Sequence, residues 1–250
     1  RECSAPIVLA AHGAAIAGGC ALLGGADVVI THHEAKIGYP VVRLGIWKCR
    51  SLVVAVGVRS VLRGRSKEGD RERAALWHHG HLTASLCSLL NKAARLGFKG
   101  EEYSAGLLHD LGRVLVALAD PECLKLAGMM DFADDRDPRD RERAAIGADH
   151  CALGGWFAGL SNLPAELAEV IGQHHTPTPQ ARLVSLVAAA DHMANHLQVA
   201  KGATGYDPAT SPGLACLCDG WADGRREHLF ASLPHLMQSA VSSADDDATP

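Results

Sequence analysis

The adjacent pair His109-Asp110, set in Ala105-Gly-Leu-Leu-His-Asp-Leu-Gly112, constrains this chain more than any other feature. An imidazole and a carboxylate inside an apolar helical stretch are costly to bury unless something binds them. A divalent metal is the usual partner, because neutral imidazole and carboxylate are its natural ligands. The same side-chain types recur in His79, His150, the doublet His174-His175 and Asp191. Each falls in its own expected helix or at its end, so a fold for this sequence has to gather several helices around one point. Taken singly, each has a bland reading. His78, His81, His192 and His196 are read as core or capping residues, and Asp110 alone could be a satisfied helix-interior carboxylate. The ordered series is what points to metal.

Composition narrows the class. A chain of 250 residues can hold one large domain or two small ones. The net charge of −4 advertises no basic face for nucleic acid or anionic lipid. The Arg-rich runs 63–73 and 136–143 are interleaved with Asp and Glu, as in solvated loops and helix faces. The eight cysteines include no CxxC pair, and reduced thiols in the cytoplasm are the expectation. The apolar run 6–30 contains His12, Asp27 and five glycines, which argues against a membrane span.

Two styles of sequence meet near residues 41–47. Before them, residues 6–12 and 26–31 read as buried strands and residues 14–23 as a short helix. This is an α/β fragment too short to enclose a core of its own. After them the periodicity is helical. Helices are expected over 47–62, 71–96 (stopped by Gly97), 101–119, 122–130, 140–160, 164–173, 180–198 and 221–243. Residues 131–139 and 201–220 read as loops, and 244–250 as a frayed, disordered acidic tail. The expected class is mainly α, with sheet confined to the first 46 residues. The domains are then a segment over 1–46, a helical domain over 47–243 and the tail.

From Leu76-Trp-His-His79 through Ala105–Gly112 to Ala189-Ala-Asp191, the chain resembles the HD superfamily of helical metal-dependent phosphohydrolases. Within it, the HDOD branch (HD-related output domain) of bacterial signalling proteins is the nearest likeness. The phrases Asp149-His150, Gly154-Gly155-Trp156, Asn162-Leu163-Pro164 and His174-His175 extend the resemblance over residues 42–240. It implies that His79, His109, Asp110 and Asp191 are core metal ligands. His150, His174 and His175 match extra ligands of the HD-GYP relatives, which hydrolyse cyclic di-GMP. Asp110 would be the catalytic, bridging carboxylate between two ions about 3.5–4 Å apart, with a shared hydroxide attacking phosphorus. Such ligands suit iron, manganese or zinc better than magnesium, in a centre of one ion or two. Two positions depart from the HD-GYP pattern: Thr176-Pro177-Thr178-Pro179 replaces the Gly-Tyr-Pro element, and Ala75 replaces the upstream carboxylate.

Residues 6–46 resemble a different family, the crotonases (enoyl-CoA hydratases and isomerases). The residues are Pro6–Cys20, with its glycine turn, and Ala35–Gly45. Gly18 matches an oxyanion-hole donor of that family, here a remnant. The two hydratase glutamates match Ala21 and Val41, which cannot move a proton, so hydratase activity is not expected.

The leading expectation is a cytoplasmic signal-transduction output module with a His/Asp metal site. It would act through a signalling protein or a nucleotide ligand, with no nucleic acid or membrane partner. The alternative is a metal-dependent phosphohydrolase acting on a nucleotide or cyclic dinucleotide. A crotonase-type acyl-CoA protein lacking both glutamates comes last.

Overall fold

The computed structural model describes the backbone of residues 8–11, 14–16, 28–31 and 36–38, and residues 69–129, 131 and 137–246, the last four without side chains. Contacts divide the chain into units of residues 1–53 and 54–250. In the first unit, β1 (Val8–Ala11) pairs parallel with β3 (Val28–Thr31), and β2 (Ala14–Ile16) with β4 (Lys36–Gly38). The helix expected over 14–23 is corrected at its start. Ala14–Ile16 is a strand, because a parallel partner outweighs the helix preference of alanine. Gly18, Ala21, Val41 and the helix expected over 47–62 lie outside the described residues.

From residue 69 onward the described residues contain no strand. Helix α1 (Asp70–Ala94) starts with Asp70 and Glu72 in its first turn, the favourable end for acids. Its stop is Arg95 in the left-handed region, two residues before the expected Gly97. The Asn91 side chain then holds both backbone groups of Phe98. Helices α2 (Glu101–Leu108) and α3 (Leu111–Ala119) replace the single helix expected over 101–119. The break falls at His109-Asp110 and serves the site described below.

Helix α4 (Pro121–Leu126) follows, capped by Asp120 with Pro121 in the first turn. The expected helix 140–160 is also two. Helix α5 (Pro138–Ile146) ends on left-handed Gly147, and Asp149 caps α6 (His150–Leu160) by accepting from the N–H of Ala152. Helices α7 (Ala165–Gln173) and α8 (Arg182–Ala200) keep their expected places. The expected loop 201–220 contains a 3-10 turn (Pro208–Thr210) and α9 (Pro212–Leu217), the latter capped by Ser211. Helix α10 (Asp223–Asp246) runs past Ser243, where the sequence pattern ended it.

The main core joins α1, α8 and α10. Leu82, Leu86 and Leu90 of α1 meet Leu186, Val187 and Met193 of α8, and Leu233 and Met237 of α10. Helix α8 is buried on nearly every side, as its mostly apolar and small residues require. Gly213 lets α9 lie directly on α8, since a Cβ there would overlap the backbone of Ala189. A second cluster, Leu76, Val116, Ala117, Leu124 and Met129, seals the junction of α1, α3 and α4. Helices α1, α3, α6, α7 and α8 therefore have fixed neighbours, and the histidines stand on them or at their ends. No helix among the described residues is long and apolar enough to cross a membrane.

Candidate metal centre

All seven helical-domain residues singled out in the sequence come together. His79 projects from α1, His109 and Asp110 from the α2–α3 break, and His150 from the first turn of α6. His174 and His175 follow α7, and Asp191 stands on α8. Consecutive residues of an unbroken helix point about 100° apart. The break relieves that divergence, and the carboxylate of Asp110 makes no cap to α3, so it is left for the centre. Gly112 completes the local logic. A Cβ there would overlap the carbonyl of His150, so only glycine allows α3 to press against the start of α6. That contact brings His150 to Asp110.

The centre has two halves. In the first, His79 Nε2 lies 3.0 Å from Asp191 Oδ1 and 3.3 Å from His109 Nε2. His109 Nε2 is 3.6 Å from the same Asp191 oxygen. In the second, His150 Nε2 lies 3.2 Å from His174 Nε2 and 3.1 Å from His175 Nε2. Asp110 stands between them. Its Oδ2 is 3.7 Å from His79 and 3.5 Å from His109, and its Oδ1 is 3.5 Å from His150 and 3.8 Å from His174.

The rings are held by their far nitrogens. His109 Nδ1 donates to the carbonyl of Gly106 at 2.7 Å, and His174 Nδ1 to that of Val170 at 3.2 Å. His150 Nδ1 donates to Glu142 Oε2 at 2.6 Å. A carbonyl and a carboxylate only accept, so Nδ1 carries the proton in each neutral ring and Nε2 presents a lone pair. With both rings neutral, the lone pairs of His150 and His174 face each other across 3.2 Å, an arrangement that a proton or a metal ion between them satisfies. Asp110 Oδ1 is buried and accepts no hydrogen bond. These donors fit a divalent transition ion.

The two halves differ electrostatically. Burial opposes charge on His109, but the carboxylates of Asp110 and Asp191 outweigh it and push the ring up to about 9. Burial pulls His175 down to about 4, aided by His150 and Arg113. His174 also lies well below the usual histidine range, through burial and its neighbouring imidazoles. Burial alone would raise Asp110 and Asp191. Arg113 and the nearest histidines hold Asp110 far below the usual carboxylate range, while His109 and His79 do so for Asp191.

Sequence reasoning missed three residues. Glu142 was placed in a solvated charge run, yet it is wholly buried, binding both the ring and the backbone N–H of His150. Arg113 donates to Asp110 Oδ2 at 3.0 Å and to Glu142 at 3.5 Å. Its spacing of three from Asp110 on a helix was the available signal. Cys151, next to His150, puts Sγ 3.4 Å from His150 Nε2. Among the residues assigned structural roles, His81 is buried beside Trp77 and Tyr103, His192 bonds Tyr206, and His196 bonds the Thr204 carbonyl. His78 is exposed. A cavity of 370 Å³ adjoins the centre, lined by Arg113, His174, His175, Asp191, His192 and Asn195, among others.

Comparison with known proteins identifies the family and the fold. The HDOD domain family model matches residues 33–177, starting inside the stretch that resembled a crotonase. A Treponema pallidum (strain Nichols) protein, itself uncharacterized, is 29% identical over 160 residues, 62% of this chain. The chain spans only 30% of that relative's length. An HDOD domain protein of unknown function from Geobacter sulfurreducens shares the fold with a TM-score of 0.64 and 22% identity, over 82% of this chain and 72% of its own. A Shewanella amazonensis protein named as a candidate phosphohydrolase aligns with a TM-score of 0.54 and 23% identity, over 81% and 74%. None of these comparisons supports the crotonase resemblance of residues 6–46. With more than half of its residues matched by the family model, the chain belongs to the HDOD domain family.

Proposed function

We propose that the chain is a signal-transduction output module whose helical domain, residues 47–243, holds a divalent metal and acts on a signalling protein or nucleotide ligand. His79, His109, Asp110 and Asp191 would bind on one side, and His150, His174 and His175 on the other. The buried convergence of imidazole nitrogens, with His150 Nε2 and His174 Nε2 3.2 Å apart and the unpartnered Asp110 oxygen beside them, carries the metal assignment. When bound, the ion supplies Lewis-acid polarisation of a phosphoryl oxygen. The protein's own residues do the positioning. Glu142 sets the tautomer and angle of His150, the Gly106 and Val170 carbonyls set His109 and His174, and Arg113 fixes Asp110. Free thiols at Cys87, Cys123, Cys151, Cys216 and Cys218 support a reducing, cytoplasmic setting.

Arg113 ranks the module above the enzyme. The Asp110 oxygen facing His79 and His109 is already paired with a permanently charged guanidinium, which competes there with an ion. The cavity favours the second reading, a phosphohydrolase, because Arg113 also faces it and offers donors to a phosphate. Metal analysis of the purified full chain, followed by a phosphodiesterase and nucleotidase screen with manganese or iron, separates the two. Bound metal with no turnover, together with binding of a nucleotide or protein partner, is the expected result. Turnover lost in Asp110→Ala establishes the enzyme, and absence of metal overturns both.

A further inference from the structure

We propose that Cys151 is a metal ligand, so that His150, His174, His175 and Cys151 form a three-nitrogen, one-sulfur site selective for zinc. The proposal rests on the metal-binding reading above and deepens it for one half of the centre. The ligand atoms of these four residues all lie within 4.8 Å of one another. The three spacings that run through His150 Nε2 are those of a tetrahedral ion. Zinc bonds of about 2.05 Å to nitrogen and 2.3 Å to sulfur place ligand nitrogens about 3.3 Å apart and sulfur about 3.5 Å from nitrogen. The structure has nitrogens 3.1 and 3.2 Å apart and Sγ 3.4 Å from His150 Nε2.

The ordinary role for a buried cysteine is to fill a core, and Cys151 does not fit it. Among the described residues it joins none of the hydrophobic clusters, and its sulfur contacts the His150 and His174 rings. It occupies the second position of α6, close after the Asp149 cap, and burial together with the carboxylates of Asp110 and Asp149 keeps its thiol protonated until a cation takes the proton's place. On binding, the thiol proton leaves to water as the sulfur–metal bond forms. A thiolate is a soft ligand, and it steers this half toward zinc and away from manganese. The opposite half, with His79, His109 and carboxylates alone, has no such bias.

Cobalt(II) titration of the full chain tests this directly. Wild type is expected to develop a near-ultraviolet thiolate-to-cobalt charge-transfer band. Cys151→Ser and Cys151→Ala are expected to lose it while keeping wild-type helicity and cobalt at the other half. Zinc affinity by chelator competition should fall by at least about 100-fold, beyond the 10–100-fold that loss of a supporting residue costs. Bound cobalt without the band, or a band that persists in both variants, overturns the Cys151 assignment and leaves the metal reading standing. Wild type that binds no cobalt overturns both. Should both variants unfold, zinc-dependent protection of wild-type Cys151 from alkylation, read residue by residue by peptide mapping, decides it, and absence of protection overturns the assignment.

Discussion

The two halves of the centre share one carboxylate and little else. On the side of His79, His109 and Asp191, the imidazoles face two buried carboxylates, which draw a proton onto His109. On the side of His150, His174 and His175, imidazoles crowd one another, and burial expels charge from His174 and His175. The first half satisfies itself with a proton when no ion is present. The second half keeps His174 and His175 neutral, with their lone pairs free for a metal. The same residue type therefore makes two different cation sites, depending on whether its neighbours are carboxylates or other imidazoles.

The severest break in this comparison is Asp110→Ala. The residue turns one oxygen to each half, so its loss should lower metal affinity by about 100-fold or more at the His79 half, where it would be a ligand, and by about 10-fold at the His150 half, where its charge stands beside the four proposed ligands, and abolish any phosphohydrolase turnover. Metal stoichiometry after dialysis reads the result, with Asp110→Asn separating lost charge from lost volume. If one half keeps full affinity, Asp110 does not bridge. Gly112→Ala comes next. Its methyl must displace the His150 carbonyl, at a cost of about 3 kcal/mol in stability. Metal should be lost selectively from the His150 half. An unchanged urea midpoint would show that α3 and α6 can separate freely.

These two residues also mark how far the sequence could be read. Every histidine and aspartate proposed as a ligand was visible, because His and Asp amid apolar residues announce a demand that only a partner can meet, whereas Cys151 was not, since a cysteine in an apolar helix reads as core. What the ligands lean on was not visible either. Glu142 lies eight residues before His150 in a run of Arg and Asp, and nothing local distinguishes a buried carboxylate from a solvated one there. Burial of that kind is decided by the packing of α5 against α6. The helix breaks were partly readable. Gly147 followed by Asp149 is a stop and a start, and Ser211-Pro212 opens α9 in the same way. The break at His109-Asp110 has no glycine or proline between its two helices, so an unbroken helix was the natural reading.

Glu142→Gln sharpens the comparison, since it touches one half only. Glutamine can still accept from His150 Nδ1 but no longer supplies a charge to raise the basicity of the ring or to pair with Arg113. Affinity at the His150 half should fall about 10–100-fold, while the His79 half stays within a few-fold. Competition titrations with a chromophoric chelator resolve the two phases. An equal loss in both would mean that Glu142 acts through Arg113 and Asp110 rather than through His150.

The smallest effect in the parent protein is its pH dependence without metal, because the halves pull in opposite directions. His109 is raised from 6.5 to about 9 in the folded state. The stability it contributes is fully present below pH 6.5 and is lost as pH rises through about 9. His175 is lowered from 6.5 to about 4. The unfolded chain takes up its proton first, so stability falls as pH drops from 6.5 toward 4 and levels off below that. Urea midpoints measured in a chelating buffer should therefore peak near pH 6.5. His109→Gln should flatten the alkaline limb, and His175→Gln should make the acid limb shallower between pH 6.5 and 4 without abolishing it, because His174, Asp110 and Asp191 also destabilise the fold on acidification. A parent curve that rises steadily from pH 6.5 to 9 would mean that His109 does not hold a proton between Asp110 and Asp191, and the electrostatic contrast between the halves would fail.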